Sequence, residues 1–173
     1  VRSTPLEAPG LTAALDAAGW RTIDRSHVYA MALGEHDRDP DARLVDVLDP
    51  GFLAAQQALQ AYSDLAMTGM CGLLGAIAVP AVGILIDRDG RAVASGLMAI
   101  ADGIVLAGNV ITDAAYRGRG LAGAVMRSGL AWARATGATI AALNVQADNT
   151  IATAFYRGLG YSHLYDYAYR VPR

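Results

Sequence analysis

The stretch Tyr116-Arg117-Gly118-Arg119-Gly120-Leu121-Ala122-Gly123 lies between an apolar run with strand character and one with helical spacing, and it decides the fold. Glycines at a strand-to-helix junction let the backbone come close to a ligand, and the free amides and positive dipole end of the following helix face it. Arg117 and Arg119 add charge, so the segment reads as a cradle for a diphosphate or, alternatively, as a tight strand-to-helix turn with solvated arginines. Working upstream, Val82, Ile84 and Ile86 alternate up to Asp87-Arg88-Asp89-Gly90, and a second run spans Arg91 to Ile100. The pair describes an antiparallel hairpin. A turn at Ala101-Asp102-Gly103 then leads into a third strand, Ile104 to Thr112, in which Gly108-Asn109 marks a bulge. Working downstream, Leu121, Val125, Ser128 and Trp132 fall on one helix face that ends near Gly137. Thr139 to Val145 reads as a buried strand, Asp148 or Asn149 as the cap of a short helix, and Tyr161 to Val171 as a last strand.

The earlier part of the chain carries a short helix from Leu11 to Ala18, stopped by Gly19, and a strand from Val28 to Leu33. Gly34 to Pro40 is a polar loop. Asp49-Pro50 supplies an N-cap and a first-turn proline for a helix expected to run to about Ala66. Leu65 to Ile86 has no charge except that of its flanks and is long enough to cross a bilayer. Its glycines, Pro80 and the absence of arginine or aromatic flanks favour a helix end, an apolar loop and a buried strand instead. The plan is a mixed α/β (α+β) domain, one sheet with helices packed on it.

Composition narrows the function. The 173 residues are 54% hydrophobic and 17% charged with a net charge of −2, which describes a globular chain with no electrostatic reason to hold nucleic acid or a membrane surface. All 14 basic residues are arginine. That excludes a Walker phosphate loop, a Schiff-base lysine and a lysine base. The single Cys71 allows no internal disulfide and fits a reducing, cytoplasmic setting. No signal peptide is legible, and Val1 in place of Met points to a trimmed start. The apolar surplus points to a homodimer.

Gly118-x-Gly120-x-x-Gly123 also spells the dinucleotide fingerprint, with Asp148 downstream for a ribose hydroxyl. A doubly wound fold opens with that motif, however, and only 50 residues follow Gly123. Asp37-x-Asp39-x-Asp41 begins like a calcium loop but has Ala42 and Leu48 where glycine and glutamate are needed. His27, His36 and His163 show no metal-ligand spacing, and no metal is expected. No serine stands in a Gly-x-Ser-x-Gly elbow. Tyr161, Tyr165, Tyr167 and Tyr169 alternate as strand residues do, so one face is expected in the core.

Arg117-x-x-Gly120-x-Ala122, followed by Asn149-x-x-Ala152-x-x-Phe155-Tyr156-x-x-x-Gly160-Tyr161, resembles the GCN5-related N-acetyltransferase (GNAT) family. The resemblance runs from about Val82 to Tyr169, extends more loosely back to Ser26, and leaves residues 1–25 outside as an extension to a domain spanning 26–173. It implies a central mixed, splayed β-sheet flanked by helices, and acetyl transfer from acetyl-CoA to an amine acceptor, small molecule or peptide. It further implies that the amides of Arg117, Gly118, Arg119, Gly120, Leu121 and Ala122 hold the CoA diphosphate and that Val110, Ile111 and Thr112 pair with pantetheine. Asn149 would contact the pantetheine arm, and Tyr156 would protonate the departing thiolate. Many family members use a glutamate on the central strands as base, whereas the glutamates here are Glu7 and Glu35, far from the motif. Asp113, Asp102, a water relay or no base at all remain as readings, and so does a non-catalytic acyl-CoA-binding sensor or scaffold.

Overall fold

A computed structural model describes residues 1–173 as two units, one made of Val1–Met31 with Ala142–Arg173 and the other of Ala32–Ala141. In chain order the elements are β1 (Arg2–Ser3), α1 (Leu11–Ala17), β2 (Arg21–Ala32), β3 (Ala42–Val45), α2 (Pro50–Gln60), α3 (Asp64–Gly75), β4 (Ala81–Arg88), β5 (Arg91–Ala101), β6 (Ile104–Thr112), a 3-10 turn (Ala114–Tyr116), α4 (Leu121–Ala135), β7 (Ile140–Gln146), α5 (Thr150–Gly158) and β8 (Ser162–Val171).

The contiguous unit is built on the expected meander. Asp89 and Gly90 join β4 to β5 with φ of 53° and 78°, the paired left-handed geometry that a two-residue hairpin turn requires. β6 pairs antiparallel with β5, and the strand order is β6-β5-β4-β3. The bulge is where the glycine placed it. Ser95 opposes Ile111 and Leu97 opposes Gly108, so β6 carries one extra residue, and Asn109 takes a φ of 51°. Val82–Ile86 are buried without a break, as are Val93–Gly96. Continuous burial instead of alternation means that helices cover both faces. Phe52 of α2 and Val125, Met126 and Leu130 of α4 are fully buried in this core.

Two expectations are corrected here. The helix from Pro50 does not reach Ala66: it ends at Gln60, Ala61 turns left-handed at φ 54°, and the Ser63 hydroxyl then caps α3 by accepting from the Ala66 amide at 3.3 Å. The apolar segment expected as a loop is therefore α3 itself. Its glycines disfavour helix, but burying Leu74 beside Val47, Phe52 and Leu85 outweighs that local preference. No helix is long and apolar enough to cross a membrane. β3, which sequence patterning did not reveal, is a four-residue edge strand on β4.

The other unit orders its strands β1-β8-β2-β7. β8 runs antiparallel to both neighbours, with Arg2 opposite Tyr169 and Arg21 opposite Val171. Residues 1–25 thus supply β1, α1 and the start of β2, and β2 begins seven residues before the expected Val28. Of the alternating tyrosines only Tyr161 is in the core; Tyr165 and Tyr167 are half-buried and Tyr169 is exposed. The Arg2 guanidinium covers the Tyr167 ring at 3.7 Å, a cation on the aromatic face.

Candidate functional site

The turn from Arg117 to Ala122 has the local structure its glycines foretell. Asp113 caps the 3-10 turn through its Oδ1, which accepts from the Ala115 amide at 2.8 Å. Gly118 and Gly120 then adopt φ of 73° and 77°, and α4 starts at Leu121 with Gly120 as an N-cap that has no side chain to accept a hydrogen bond. The first helical bond runs from the Ala124 amide to the Gly120 carbonyl, so the amides of the first turn are left for a ligand. A Cβ built at Gly118 or Gly120 would meet nothing within 4 Å, so the space before the turn is open.

Arg117 and Arg119 are exposed on this turn and make only long contacts to carbonyls, Arg117 Nε to Thr112 at 3.4 Å and Arg119 Nη2 to Ala115 at 3.3 Å. Arg119 and Arg91 lie over the Tyr116 ring at 5.0 and 5.3 Å. The result is a cationic turn with uncommitted donors.

β6 delivers Val110, Ile111 and Thr112 to the start of this turn, all half-buried, with Ile111 opposite Ser95 and Thr112 opposite Ala94. The bulge before them is held from inside. Gln56 of α2 is fully buried, and its Nε2 donates to Ser95 Oγ at 2.8 Å and to the Asn109 carbonyl at 3.3 Å. Sequence reasoning missed Gln56. A glutamine on an otherwise apolar helix face was the available signal, since most buried polar side chains are hydrogen-bonded; here the Nε2 is satisfied and the Oε1 has no partner.

Asn149 and Tyr156 belong to α5. Asn149 is its N-cap, with Oδ1 accepting from the Ala152 amide at 3.0 Å, which leaves its side-chain NH₂ free to donate. Tyr156 is half-buried between the rings of Phe155 and Tyr161, at centroid distances of 5.1 and 6.1 Å. Burial raises its phenol above the ordinary value of 10.0, so it keeps its proton at neutral pH. The same cause acts more strongly on Tyr161, whose hydroxyl is buried and unpartnered.

The candidate bases fare differently. Asp113 is engaged twice, accepting from Arg91 Nη1 at 2.6 Å and capping the 3-10 turn, and the Arg91 hydrogen bond chiefly holds its carboxyl below the usual range. A depressed carboxylate is a weak proton acceptor. Asp102 is exposed in a turn at φ 49°. Glu7 is bound by the hydroxyls of Thr12 and Ser3, and Glu35 is exposed on the loop after β2. In the acidic loop, Asp39 Oδ1 accepts from the Asp41 amide at 3.1 Å and Asp41 pairs with Arg88 at 2.7 Å, so the carboxylates serve the loop's own structure. His27 and His163, which sequence spacing treats as unrelated, come together beside Asp166.

A family model described as the acetyltransferase (GNAT) family matches residues 50–161. Among solved structures, the chain is similar to a GCN5-related N-acetyltransferase from Kribbella flavida, with 24% identity over 98% of this chain and 66% of that one at a TM-score of 0.66. It is also similar to a GCN5-related N-acetyltransferase from Sphaerobacter thermophilus, with 16% identity over 98% of this chain and 58% of that one at a TM-score of 0.73. A third is AAC(6')-Iy in complex with the bisubstrate analog CoA-S-monomethyl-acetylneamine, with 16% identity over 70% of this chain and 90% of that one at a TM-score of 0.58. The chain therefore spans less than two thirds of the length of the first two. Comparison with curated proteins finds no match.

Proposed function

Because the chain belongs to the acetyltransferase (GNAT) family, matched over residues 50–161, we propose that it moves an acetyl group from acetyl-CoA to a primary amine of a small molecule or peptide by direct transfer. The observation that carries this reading is the turn itself: two left-handed glycines, an uncapped helix start and two exposed arginines, with open space before them. Free amides aligned with a helix dipole suit a diphosphate, and Arg117 and Arg119 supply the countercharge. The CoA-analogue complex of the neighbour AAC(6')-Iy supports the same cosubstrate.

In this reading the amides of Arg117, Gly118, Arg119, Gly120, Leu121 and Ala122 bind the diphosphate, and Val110, Ile111 and Thr112 orient the pantetheine arm along β6. The Asn149 NH₂ donates to that arm. Tyr156 gives its Oη proton to the sulfur as the thioester C–S bond breaks and the acceptor nitrogen bonds to the acetyl carbon; the proton lost by that nitrogen returns to solvent or to the phenolate. A phenol kept protonated by burial suits the role. Holding both reactants in one orientation supplies much of the rate without further chemistry.

The test is calorimetric titration with acetyl-CoA, CoA and NADH, beside a Gly120→Glu variant that fills the turn with bulk and negative charge. Saturable acetyl-CoA binding that the variant loses supports the cosubstrate; preference for NADH, or no CoA binding, overturns it. Thiol release with a panel of amines then tests turnover, and Tyr156→Phe should lower it by about 10²-fold or more with binding kept. A second reading, an acyl-CoA sensor, draws on the commitment of Asp113 to Arg91, which leaves that carboxylate unsuited as a base. Acetyl-CoA binding without amine-dependent thiol release would favour it.

A further inference from the structure

We propose that His27, His163 and Asp166 form a binding site for a divalent transition-metal ion of the zinc class, separate from the acetyl-transfer reading and independent of it. His27 Nδ1 lies 2.7 Å from Asp166 Oδ1, and His163 Nε2 lies 2.6 Å from the same oxygen. All three donor atoms fall within 4.8 Å of one another. The rings meet edge to face, with centroids 5.4 Å apart at 82°. Two imidazole nitrogens and one carboxylate oxygen thus converge on one point.

The backbone explains the convergence. His27 of β2 opposes Asp166 of β8, whereas Tyr29 opposes His163, with a register shift between Val28 and Tyr29. In an unbroken ladder Tyr29 would face Leu164, and His163, three residues from Asp166, would point to the opposite face of the sheet. The extra residue in β8 reverses that parity and turns His163 toward His27 and Asp166. Bulges that re-aim a side chain are found beside functional sites. The exposed Leu164, at 60%, is the residue displaced outward by this bulge.

The donor set selects the ion. Two nitrogens and one oxygen suit zinc and its neighbours in the first transition row, whereas calcium and magnesium require a sphere of oxygens. Bonds of about 2.0–2.1 Å in a tetrahedron place ligand atoms roughly 3.3 Å apart. The 2.7 and 2.6 Å separations of the two imidazole nitrogens from Asp166 Oδ1 need to open by only about 0.6 Å to reach that value, and Asp166 is exposed. In the metal-free form both facing ring nitrogens must carry hydrogen, because a carboxylate only accepts; the ion takes the place of those hydrogens. The three residues line a cleft of about 590 Å³. Thr153, whose Oγ1 has no hydrogen-bond partner, and Arg157 lie on the same cleft. Three protein ligands on an open cleft leave a position for water.

The untagged protein, stripped with chelator, is titrated with zinc chloride by calorimetry and equilibrium dialysis, and cobalt is added to report coordination through its visible absorption. One zinc per chain is expected, with affinity about tenfold or more weaker in His163→Ala, His27→Ala and Asp166→Asn. Zinc should raise the Tm of the parent protein more than that of these variants, and calcium should raise neither. Melting without metal checks that each variant folds; if His163→Ala fails that check, His163→Gln takes its place. No saturable zinc uptake by the parent protein overturns the proposal and leaves a hydrogen-bonded His-Asp-His clamp. Uptake that persists unchanged in both histidine variants also overturns it, by placing the metal elsewhere, for instance at Cys71 or His36.

Discussion

Replacing Gly96 with alanine tests how α4 is seated over the strands that lead to the cationic turn. Gly96 is buried on β5, and a Cβ there would stand 2.6 Å from Val125 Cγ1 of α4 and 3.4 Å from Val110 Cγ2 of β6. Ordinary carbon contacts are about 3.5–4.0 Å, so one wall must retreat by roughly 1 Å. Val125 is fully buried and β-branched, so rotation about χ1 offers little relief and the helix itself must shift. Overpacking of this kind costs about 1–3 kcal/mol, offset by about 0.4–1 kcal/mol from the stiffer unfolded chain. The net loss of about 1–2 kcal/mol should lower Tm by about 2–8 °C for a chain of this size. The assay is urea unfolding of Gly96→Ala, Val125→Ala and the double variant. The two changes should couple by about 1 kcal/mol, the double variant being less damaged than the sum, because removing Cγ1 makes room for the new methyl. Strict additivity, or a Gly96→Ala protein as stable as its parent, would refute this packing.

Three further outcomes are expected. In alkaline titration followed by tyrosinate absorption, Tyr156 and Tyr161 should ionise after the exposed tyrosines, since burial raises both; Tyr156→Phe should remove one late step. Their folded-state values lie above the unfolded ones, so their contribution to stability is complete below about pH 10 and is lost as pH rises through the folded values. Asp113 has the opposite sign: its folded value is depressed, so the Arg91 pair stabilises above the usual carboxylate range and is lost as pH falls through the depressed value. Asp113→Asn should therefore flatten the acid limb of a pH-stability curve measured by thermal unfolding. Asp49→Ala should destabilise by about 1 kcal/mol in denaturant titration, because Asp49 Oδ1 accepts from the Phe52 amide at 3.0 Å and caps α2.

The sequence made the meander and the cationic turn readable because each depends on neighbours along the chain. Asp89-Gly90, Gly108-Asn109 and the glycines of the turn impose left-handed or bulged geometry whatever packs on them. α3 was not readable, since its glycines argue against helix and only the burial of Leu74 with Phe52 and Leu85 decides for it. Gln56 became informative only when Ser95 and Asn109 stood beside it. The His27 and His163 pairing was hidden for a related reason: 136 positions separate them, and a single extra residue in β8 sets which face His163 takes. Spacing rules see metal sites on one helix or loop, not those assembled across a strand ladder.

The unit that contains His27 and Asp166 is drawn from both ends of the chain, with the Val1 amine donating to the Arg170 carbonyl at 2.9 Å and the Arg170 amide donating to the Val1 carbonyl at 2.7 Å. On the ribosome that arrangement imposes an order. The contiguous Ala32–Ala141 unit has all its strands in hand once β6 and α4 have emerged, and its ladders join neighbours in sequence, the connectivity that closes fastest. β1 and β2 stay without the strand that lies between them until β8 leaves the exit tunnel. A polypeptide released before Ser162 would therefore carry a finished middle and two unpaired edges, a form that proteases and aggregation would find first.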